Sequence, residues 1–476
     1  MLRNMLQRVF TSDDQLAFAK LSGDYNPLHM DPVLARRLMF GKQVVHGLHT
    51  LLWSLDNYLK SYDRRLELKA VKADFKNGIG VGQTVNCRYD AEDKHNLEIH
   101  LEADGVPAAW FQVALSTTGQ KRDDNFPGPP QEPGICRELA PGKVAGTSGH
   151  LQLYFDKENA SRLFPNLLRL LPPGQLASLL ATTRLVGMEC PGLHSIYSGL
   201  HLTFDSNQSG APELGYQVTT CNEQLALVLM EVEGPGVQGR IKAFLRPQPH
   251  GQAPFSETCR YVEAEEFSDQ QALIIGGSRG LGEVAAKLLA AGGAEVIVTY
   301  YRGQKDAQQI VDDLVSHGAK AACHPLDVLD PSQEIPRLAA SRSKPLFLYY
   351  FATPSIFGGA KGEFSSRRFD GFVDFYVTGF LRTVQSLTKR ASGLQKIFYP
   401  SSVAIEELPA DMGEYAAVKI AGEILCDFFQ KANPDLAIHK PRLPRIATDQ
   451  TVSLLPVENQ DPVSILLPHL RKLRQL

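Results

Sequence analysis

The sequence has few cysteines and no large excess of charge of either sign. Its 476 residues contain seven scattered cysteines, without a C-x-x-C pair or a His/Cys cluster, so we expect reduced thiols and no metal site. The net charge of −3 argues against a nucleic-acid partner or a membrane-surface role. No apolar run approaches the roughly 20 residues that span a bilayer. The first residues lack the apolar core of a signal peptide, and we therefore expect a cytoplasmic protein.

The most informative segment is LSGDYNPLHMDP, near the start of the chain. Gly23 and Pro27 predict an irregular loop, because glycine breaks a helix and the residue before a proline prefers an extended conformation. Such a loop can turn Asp24 and His29 towards one point. The two side chains could then hold a water, with one accepting its proton and the other orienting it or donating a proton.

A second motif follows in VVHGLHTLLWSLDNYL, an apolar helix that His46 and Gly47 open. The start of a helix presents free N–H groups and the positive end of the helix dipole. These features suit a thioester carbonyl that gains enolate charge during a reaction.

The two motifs together resemble the (R)-specific enoyl-thioester hydratases of the MaoC-like hotdog family. The signature of that family is a G-D-x-N-P-[LI]-H-x-D loop followed by an H-G helix. The resemblance implies that Asp24 and His29 are the catalytic pair and that Gly47 is the oxyanion donor. It covers roughly residues 1–118, where alternating segments after the helix predict the antiparallel strands of a hotdog.

The rest of the chain predicts two more domains. A charged, Pro-rich linker occupies residues 119–135. Residues 136–247 repeat the order of one helix and four strands without the Asp-Asn-His loop, so we interpret them as a second, degenerate hotdog. A connector at 248–268 leads to strands alternating with helices at 269–476, a pattern that indicates a parallel sheet. The predicted fold is an α+β double hotdog followed by an α/β Rossmann-type doubly wound sheet.

The segment ALIIGGSRGLGEVAAKLL reads as a strand, a glycine-rich turn and a helix. Gly276, Gly280 and Gly282 would let the backbone approach a pyrophosphate at the N-terminus of that helix. The position of the motif between a strand and a helix makes it a specific signal for a dinucleotide.

Charged residues near this turn favour NADPH as the cofactor. An NAD site usually has an acid at the end of the second strand, whereas Tyr300 and Tyr301 occupy that region here. Arg279 and Arg302 would instead hold a 2′-phosphate, although Arg302 could also be a solvated loop charge. Asp327 is placed to accept a hydrogen bond from the adenine amine.

A proton-donating group is predicted further along the chain. Tyr415 and Lys419 share a helix face at spacing i, i+4. Lys419 could lower the phenol pKa and bind the nicotinamide ribose, so that Tyr415 can protonate a carbonyl oxygen that receives hydride. Ser402 ends a strand and could bond to the same oxygen.

These features resemble the short-chain dehydrogenase/reductase family over roughly residues 270–450. The resemblance implies hydride transfer with Ser402, Tyr415 and Lys419 as the triad. Three segments depart from the family pattern: YFAT replaces N-N-A-G, Tyr376 replaces an asparagine, and PRIAT carries Arg445 in place of glycine. The cofactor-binding residues implied, beyond those already named, are Ser278, Leu281, Val328, Ala352 and Thr448.

The sequence thus predicts a bifunctional enzyme of biosynthesis that makes a (3R)-hydroxyacyl thioester with NADPH and interconverts it with the trans-2-enoyl thioester. The carrier is CoA or an acyl carrier protein, the latter also as a docking partner, and we expect a homo-oligomer. One alternative is a catabolic, NAD-dependent enzyme that runs the same steps backwards. Another is a hydratase or acyl-binding scaffold whose reductase domain is catalytically weak.

Overall fold

The computed structural model describes residues 6–91, 95–118, 126–130, 132–205, 210–332, 334–340, 344–359, 361–388, 393–454 and 457–476. The chain divides into a first unit, Met1–Gln248 with Ser453–Pro456, and a second unit, Pro249–Val452 with Val457–Leu476. Much of the predicted linker at 119–135 lies outside the described residues. The finer domain boundaries therefore stay predictions. No helix in the described ranges is both long and apolar enough to cross a membrane.

The first repeat of the first unit packs one long apolar helix against antiparallel strands. Its elements are β1 (Leu6–Val9), α1 (Ser12–Ser22), α2 (Pro27–Met30), α3 (Pro32–Ala35), α4 (Gly47–Tyr58), β2 (Leu66–Phe75), β3 (Thr84–Ala91), β4 (Asn96–Ala103) and β5 (Val106–Thr117).

Local sequence explains the path through the predicted loop. Thr11 and Asp14 form a capping box at the start of α1, and Gly23, with φ of 77°, ends that helix in the left-handed region. The prediction of an irregular loop is correct as far as Asn26, but His29 lies on the short helix α2. Helix α2 forms because Asn26 accepts a hydrogen bond from its first turn and Pro27 fits its first position.

The second repeat has the same order of a central helix followed by four strands. Its elements are α5 (Pro141–Val144), β6 (Ser148–Gln152), α6 (Lys157–Leu163), α7 (Pro165–Leu170), α8 (Pro173–Arg184), β7 (Ser195–Phe204), β8 (Glu213–Asn222), β9 (Leu227–Gly234) and β10 (Val237–Leu245). A π-helical turn, Leu185–Glu189, extends α8.

The two repeats share one antiparallel sheet of ten strands in the order β1-β3-β4-β5-β2-β7-β10-β9-β8-β6. Strands β2 and β7 join the repeats, with Ala70 opposite Thr203 and Asp74 opposite Gly199. The buried side chains of both repeats form one hydrophobic core. The predicted double hotdog is confirmed as the fold of this unit.

The second unit alternates strands and helices along the chain. Its elements are α9 (Phe255–Thr258), β11 (Gln271–Ile275), α10 (Gly280–Ala291), β12 (Glu295–Tyr300), α11 (Gln304–Ser316), β13 (Ala321–Pro325), α12 (Glu334–Ala340), β14 (Leu346–Tyr350), α13 (Ser366–Val373), α14 (Phe380–Thr388), β15 (Leu394–Phe398), β16 (Ser401–Ser402), α15 (Ala404–Glu407), α16 (Gly413–Ala432), β17 (Ala437–His439), β18 (Arg442–Leu443) and α17 (Pro462–Gln475). A π-helical turn, Asp374–Gly379, joins α13 to α14.

Six parallel strands form the main sheet of this unit, in the order β13-β12-β11-β14-β15-β17. The order reverses beside β11, which places the start of α10 at the switch point where such sheets bind ligands. Strands β11 and β14 are buried along their whole length, as expected for strands covered by helices on both faces. The predicted doubly wound fold is confirmed.

Candidate active sites

A cavity of about 240 Å³ in the first unit brings together the residues that the first motifs predicted. Asp24, His29 and Gly47 all line its wall, and Asp24 is only 1% exposed. A carboxylate oxygen of Asp24 and a ring nitrogen of His29 lie within 4.8 Å of each other. That separation leaves the two groups able to act on one water or one substrate atom.

The carboxylate of Asp24 is held by two hydrogen bonds. The hydroxyl of Thr183 donates to its Oδ2 at 2.7 Å, and the backbone N–H of Asn26 donates to its Oδ1 at 3.2 Å. Thr183 lies on α8 of the second repeat. The second repeat therefore contributes directly to the environment of the Asp24 carboxylate.

Gly187, in the π-helical turn after α8, lies against the same carboxylate. A Cβ at this position would lie 2.2 Å from Asp24 Oδ1, so no larger residue fits without displacing that side chain. The carbonyl of Gly187 also accepts a hydrogen bond from the Asn26 amide at 2.9 Å. The turn therefore fixes both the space and the orientation of the catalytic loop.

The tautomer of His29 follows from its contact with the backbone. Its Nδ1 lies 2.8 Å from the carbonyl oxygen of Val44, which can only accept. Nδ1 therefore carries the proton, and Nε2 keeps a lone pair that can accept one. The ring stacks on that of His46, with 3.9 Å between the centroids.

His46 is buried and supports the catalytic loop rather than facing a substrate. Its Nε2 lies 3.0 Å from the backbone oxygen of Asp24, and its Nδ1 lies 3.0 Å from Gln15 Oε1. Asp24, His29 and His46 are close enough to hold a metal ion, a grouping that the sequence analysis did not expect. Both ring nitrogens of His46, however, already face hydrogen-bond partners.

Burial shifts the pKa values of Asp24 and His29 towards each other. It raises the pKa of Asp24, while the charge of His29 and the hydrogen bonds from Thr183 and Asn26 act in the opposite direction. Burial lowers the pKa of His29, the charge of Asp24 raises it, and the charge of Arg246 lowers it again. The imidazole is therefore neutral at neutral pH and can act as a base.

Gly47 begins α4, as predicted, so its backbone N–H belongs to the first turn. A Cβ here would lie 2.8 Å from the ring of Phe75, which explains why glycine is needed. Sequence reasoning missed Thr183, Gly187 and His46. Only His46 had a signal in the sequence, namely its place in the H-G helix start. Thr183 had none, because it is 159 positions from Asp24 in the chain.

In the second unit the triad residues also meet. Tyr415 bonds to Ser402 and is buried, and burial raises the pKa of Tyr415 to about 12 while that hydrogen bond lowers it. Lys419 is 4% exposed, and burial lowers its pKa to about 7. The predicted lowering of the phenol pKa by Lys419 is wrong in net direction, because desolvation of the phenol dominates.

Tyr376 is the residue that the family resemblance aligns with an asparagine. Its ring lies 4.2 Å from the Lys419 ammonium, and its hydroxyl bonds to Thr353. The ammonium also donates to the carbonyl of Pro400. An aromatic ring thus covers the ammonium where an amide would otherwise provide a polar link.

The glycine-rich turn lies between β11 and α10, as predicted. A Cβ at Gly276 would lie 2.8 Å from the backbone nitrogen of Ala352, and one at Gly280 would lie 3.8 Å from the Thr448 side chain. Segments that are distant in sequence therefore meet at one edge of the sheet. The turn fits a dinucleotide, because α10 directs its first N–H groups to this edge.

Three charged residues are predicted to bind the cofactor, and each makes a different contact within the protein. Arg279 donates to Asp449 at 2.6 Å, so its proposed contact with a 2′-phosphate requires it to share or leave that partner. Arg302 is exposed and lies 5.4 Å from the ring of Tyr301. Asp327 accepts from the backbone of Leu329 at 2.9 Å. Their roles stay predictions.

Comparison with known proteins matches both parts of the chain to families. Residues 2–105 match the family described as MaoC like domain, and residues 270–442 match the family described as short chain dehydrogenase. Among solved structures, the alcohol dehydrogenase of Thermococcus sibiricus is 23% identical, with a TM-score of 0.38, and the match covers 44% of this chain and 91% of that chain.

Several curated proteins resemble shorter stretches of the chain. The peroxisomal multifunctional enzyme type 2 of Mus musculus is 40% identical over 114 residues, 23% of this chain and 16% of that protein. The peroxisomal hydratase-dehydrogenase-epimerase of Saccharomyces cerevisiae is 39% identical over 80 residues, 17% of this chain and 9% of that protein. The matches thus span less than one fifth of either relative.

These relatives correct one expectation. The predicted cytoplasmic location is contradicted, because several of the matched proteins are named as peroxisomal. The expectation rested on the first residues of the given sequence, and these do not separate the two locations, since a protein can reach the peroxisome through a short targeting motif. Residues 2–105 therefore resemble MaoC-like domains, and residues 270–442 resemble short-chain dehydrogenases.

Proposed function

We propose that this chain is a bifunctional acyl-thioester enzyme. Its second unit reduces a 3-oxoacyl thioester to the (3R)-hydroxyacyl thioester with NADPH. Its first unit interconverts that alcohol with the trans-2-enoyl thioester by removing or adding water. The observation that supports this proposal most strongly is the buried Asp24–His29 pair, within 4.8 Å, beside the Gly47 helix start in one cavity.

In the hydration direction, the water binds between Asp24 and His29. His29 accepts a proton through Nε2, since Nδ1 is occupied by Val44. The hydroxyl adds to C3, and the imidazolium returns the proton to C2. Asp24 orients the water and stabilises the imidazolium by its charge. Dehydration follows the same steps in reverse.

The thioester oxygen gains enolate charge in this reaction and needs a donor. The N–H of Gly47 at the start of α4 provides one, aided by the positive end of the helix. Removing one such donor typically costs a factor of about 10² to 10³ in rate.

In the second unit, the hydride for the substrate carbonyl carbon would come from a nicotinamide cofactor held around the start of α10. Tyr415 donates its proton to the carbonyl oxygen, and Ser402 bonds to the same oxygen. In its protonated form, Lys419 places a positive charge near the phenol as Tyr415 loses its proton. We expect the residues around the start of α10 to hold the pyrophosphate, namely Gly276, Ser278, Gly280, Leu281 and Gly282, and we expect Val328, Ala352 and Thr448 to contact the rest of the cofactor.

The preference for NADPH rests on Arg279 and Arg302 and on the lack of an acid at the end of β12 in the sequence. We propose acyl-CoA as the carrier form, with acyl carrier protein as an alternative, and a homo-oligomeric enzyme in biosynthesis. The names of two further matched proteins, a 3-hydroxybutyryl-CoA dehydratase and an enoyl-CoA hydratase 2, support thioester chemistry. Measuring the affinities of NADPH and NADH tests the cofactor, and a clear NADH preference would favour the catabolic direction.

A second candidate is a hydratase whose reductase domain is weak. The observation that favours it is the Tyr376 ring over Lys419, together with the raised pKa of Tyr415. Steady-state NADPH oxidation with acetoacetyl-CoA separates the candidates. If Tyr415→Phe leaves the measured turnover unchanged, the triad is inactive and the second candidate replaces the first.

A further inference from the structure

The second unit contains a buried carboxylate to which the proposed chemistry assigns no role. Glu423 lies on α16 and is 7% exposed. Burying a charge is costly unless the charge is paired and hydrogen-bonded. Arg442, on β18, donates from Nε to Glu423 Oε1 at 2.9 Å and from Nη2 to Oε2 at 2.7 Å. These bonds lower the pKa of Glu423, which therefore stays ionised at neutral pH.

A third donor links Glu423 to the strand that carries Ser402. The hydroxyl of Ser401 donates to Glu423 Oε1 at 2.5 Å. Ser401 and Ser402 form β16, which pairs with β18 so that Ser401 lies opposite Arg442. Ser402 in turn bonds to Tyr415. The carboxylate therefore helps to fix the short strand whose second residue contacts the phenol.

Glu423 also lies one helical turn after Lys419, on the same face of α16. Burial lowers the pKa of Lys419 to about 7, whereas Cys426 and Glu423 act in the opposite direction. Burial raises the pKa of Cys426 to about 12, so this thiol is neutral at neutral pH. Of the two groups, Glu423 is therefore the one that carries a negative charge while the reaction runs.

The other groups around the Lys419 ammonium are neutral at neutral pH. The rings of Tyr376 and Tyr399 lie 4.2 Å and 4.8 Å from it, and the pKa of each phenol is raised by burial. Tyr415 lies 6.0 Å away, and the carbonyl of Pro400 accepts a hydrogen bond from the ammonium. Because the pKa of Lys419 is close to neutral, loss of one nearby charge changes the protonated fraction of this lysine.

We propose that Glu423 is a positioning residue for the proposed reduction, which holds the strand that carries Ser402 and places a negative charge one helical turn from the Lys419 ammonium. The inference rests on the proposed function, because it concerns the same proton-donating triad. Arg442 keeps the carboxylate in place, and its Nη1 pairs with Glu406 at 2.6 Å. Glu423→Gln would remove the negative charge and leave the cation of Arg442.

The test is the pH profile of NADPH oxidation with acetoacetyl-CoA. Glu423→Gln lowers the pKa of Lys419 further, so the ammonium is lost at lower pH and the alkaline limb moves in that direction. We expect the ratio of kcat at about pH 8.5 to kcat at about pH 6.5 to fall about threefold or more. Labelling of Lys419 with acetic anhydride in the cofactor-free protein, followed by mass spectrometry of its peptide, should show the same shift in pH dependence.

Three further variants separate charge from packing. Glu423→Asp keeps the charge and should restore most of the pH profile. Ser401→Ala keeps the charge and loses one bond to the strand, so kcat should fall about threefold or more without a shift of the limb. Asp427→Asn is the matched control on α16, because Asp427 pairs with Lys440 at 2.8 Å and its side chain is 49% exposed. It should leave both the rate and the limb unchanged.

A loss of rate that is equal at every pH in Glu423→Gln, with unchanged labelling of Lys419, would make the carboxylate purely structural and overturn the inference. Should Glu423→Gln fail to fold, Ser401→Ala decides, and an unchanged kcat in that variant would overturn the inference. If the unaltered protein oxidises no NADPH while the labelling of Lys419 still shifts in Glu423→Gln, the proposed reduction fails and the effect of Glu423 on Lys419 stands.

Discussion

Asp24 owes its properties to residues from both repeats. Burial raises its pKa, and the hydroxyl of Thr183 and the N–H of Asn26 counteract that effect by bonding to the ionised form. The proposed mechanism requires Asp24 to be ionised and His29 to be neutral, and uptake of one proton by the pair would end that state on the acid side. Because the two groups interact, the acid limb of the pH profile reports the pair rather than either residue.

Replacing Thr183 with valine should move that acid limb. The hydroxyl lowers the pKa of Asp24, so its loss raises that pKa and the pair becomes protonated at higher pH. We expect the acid limb of kcat/KM for crotonyl-CoA hydration to shift to higher pH, with the alkaline side less affected. The measurement is the full pH profile of the purified variant.

Thr182→Val is the matched control for that experiment. The hydroxyl of Thr182 donates to Leu179 within its own helix, and Thr182 is not in the cavity wall. Its pH profile should coincide with that of the unaltered protein. Identical profiles for both variants would show that Thr183 does not set the ionisation of Asp24.

At the scale of elements, the turn after α8 helps to position the loop that carries Asp24. The π-helical turn Leu185–Glu189 carries Gly187 against the carboxylate, while α8 itself presents Thr183. π-helical turns are rare and often occur at functional sites. The second repeat has therefore lost its own Asp-Asn-His loop but keeps a helix that supports the loop of the first repeat.

Gly187→Ala should abolish hydration while leaving NADPH oxidation intact. The new Cβ would lie 2.2 Å from Asp24 Oδ1, so the carboxylate must move away from His29. A displacement of about 1 Å can cost a factor of about 100 in rate. Gly142→Ala is the control, because a Cβ there meets its nearest neighbour, Glu223, only at 3.9 Å. Full hydratase activity in Gly187→Ala would contradict the observed placement.

Tyr376, in the turn between α13 and α14, should limit the rate of the proposed reductase reaction. Tyr376→Asn removes the ring that lies 4.2 Å from the Lys419 ammonium and restores a polar amide. We expect faster NADPH oxidation with acetoacetyl-CoA, provided that thermal unfolding shows a folded protein. Tyr376→Phe keeps the ring and loses only the bond to Thr353, so it should leave the rate low. Equal rates in all three proteins would exclude the ring as the cause.

At the scale of the whole molecule, sequence reasoning worked where chemistry and spacing are local. The Asp24–His29 loop, the glycine-rich turn and the Tyr415–Lys419 pair each lie within one short segment. Hydrophobic alternation together with the family resemblance predicted the hotdog, and the succession of strands and helices predicted the parallel sheet. Thr183 and Asp449 were missed because their partners, Asp24 and Arg279, lie 159 and 170 positions away. Tertiary contacts of this kind leave no local pattern. The raised pKa of Tyr415 could not be predicted either, because the depth of burial that raises it follows only from the folded chain.

The central claim is that one polypeptide contains two separate reaction centres. The most direct test supplies the purified protein with acetoacetyl-CoA and NADPH and measures all acyl products by chromatography. The unaltered protein should form crotonyl-CoA, Asp24→Asn should accumulate 3-hydroxybutyryl-CoA, and Tyr415→Phe should reduce nothing yet still hydrate added crotonyl-CoA. We expect each variant to lose a factor on the order of 10² to 10⁴ in its own step only. Unchanged dehydration in Asp24→Asn would contradict the account.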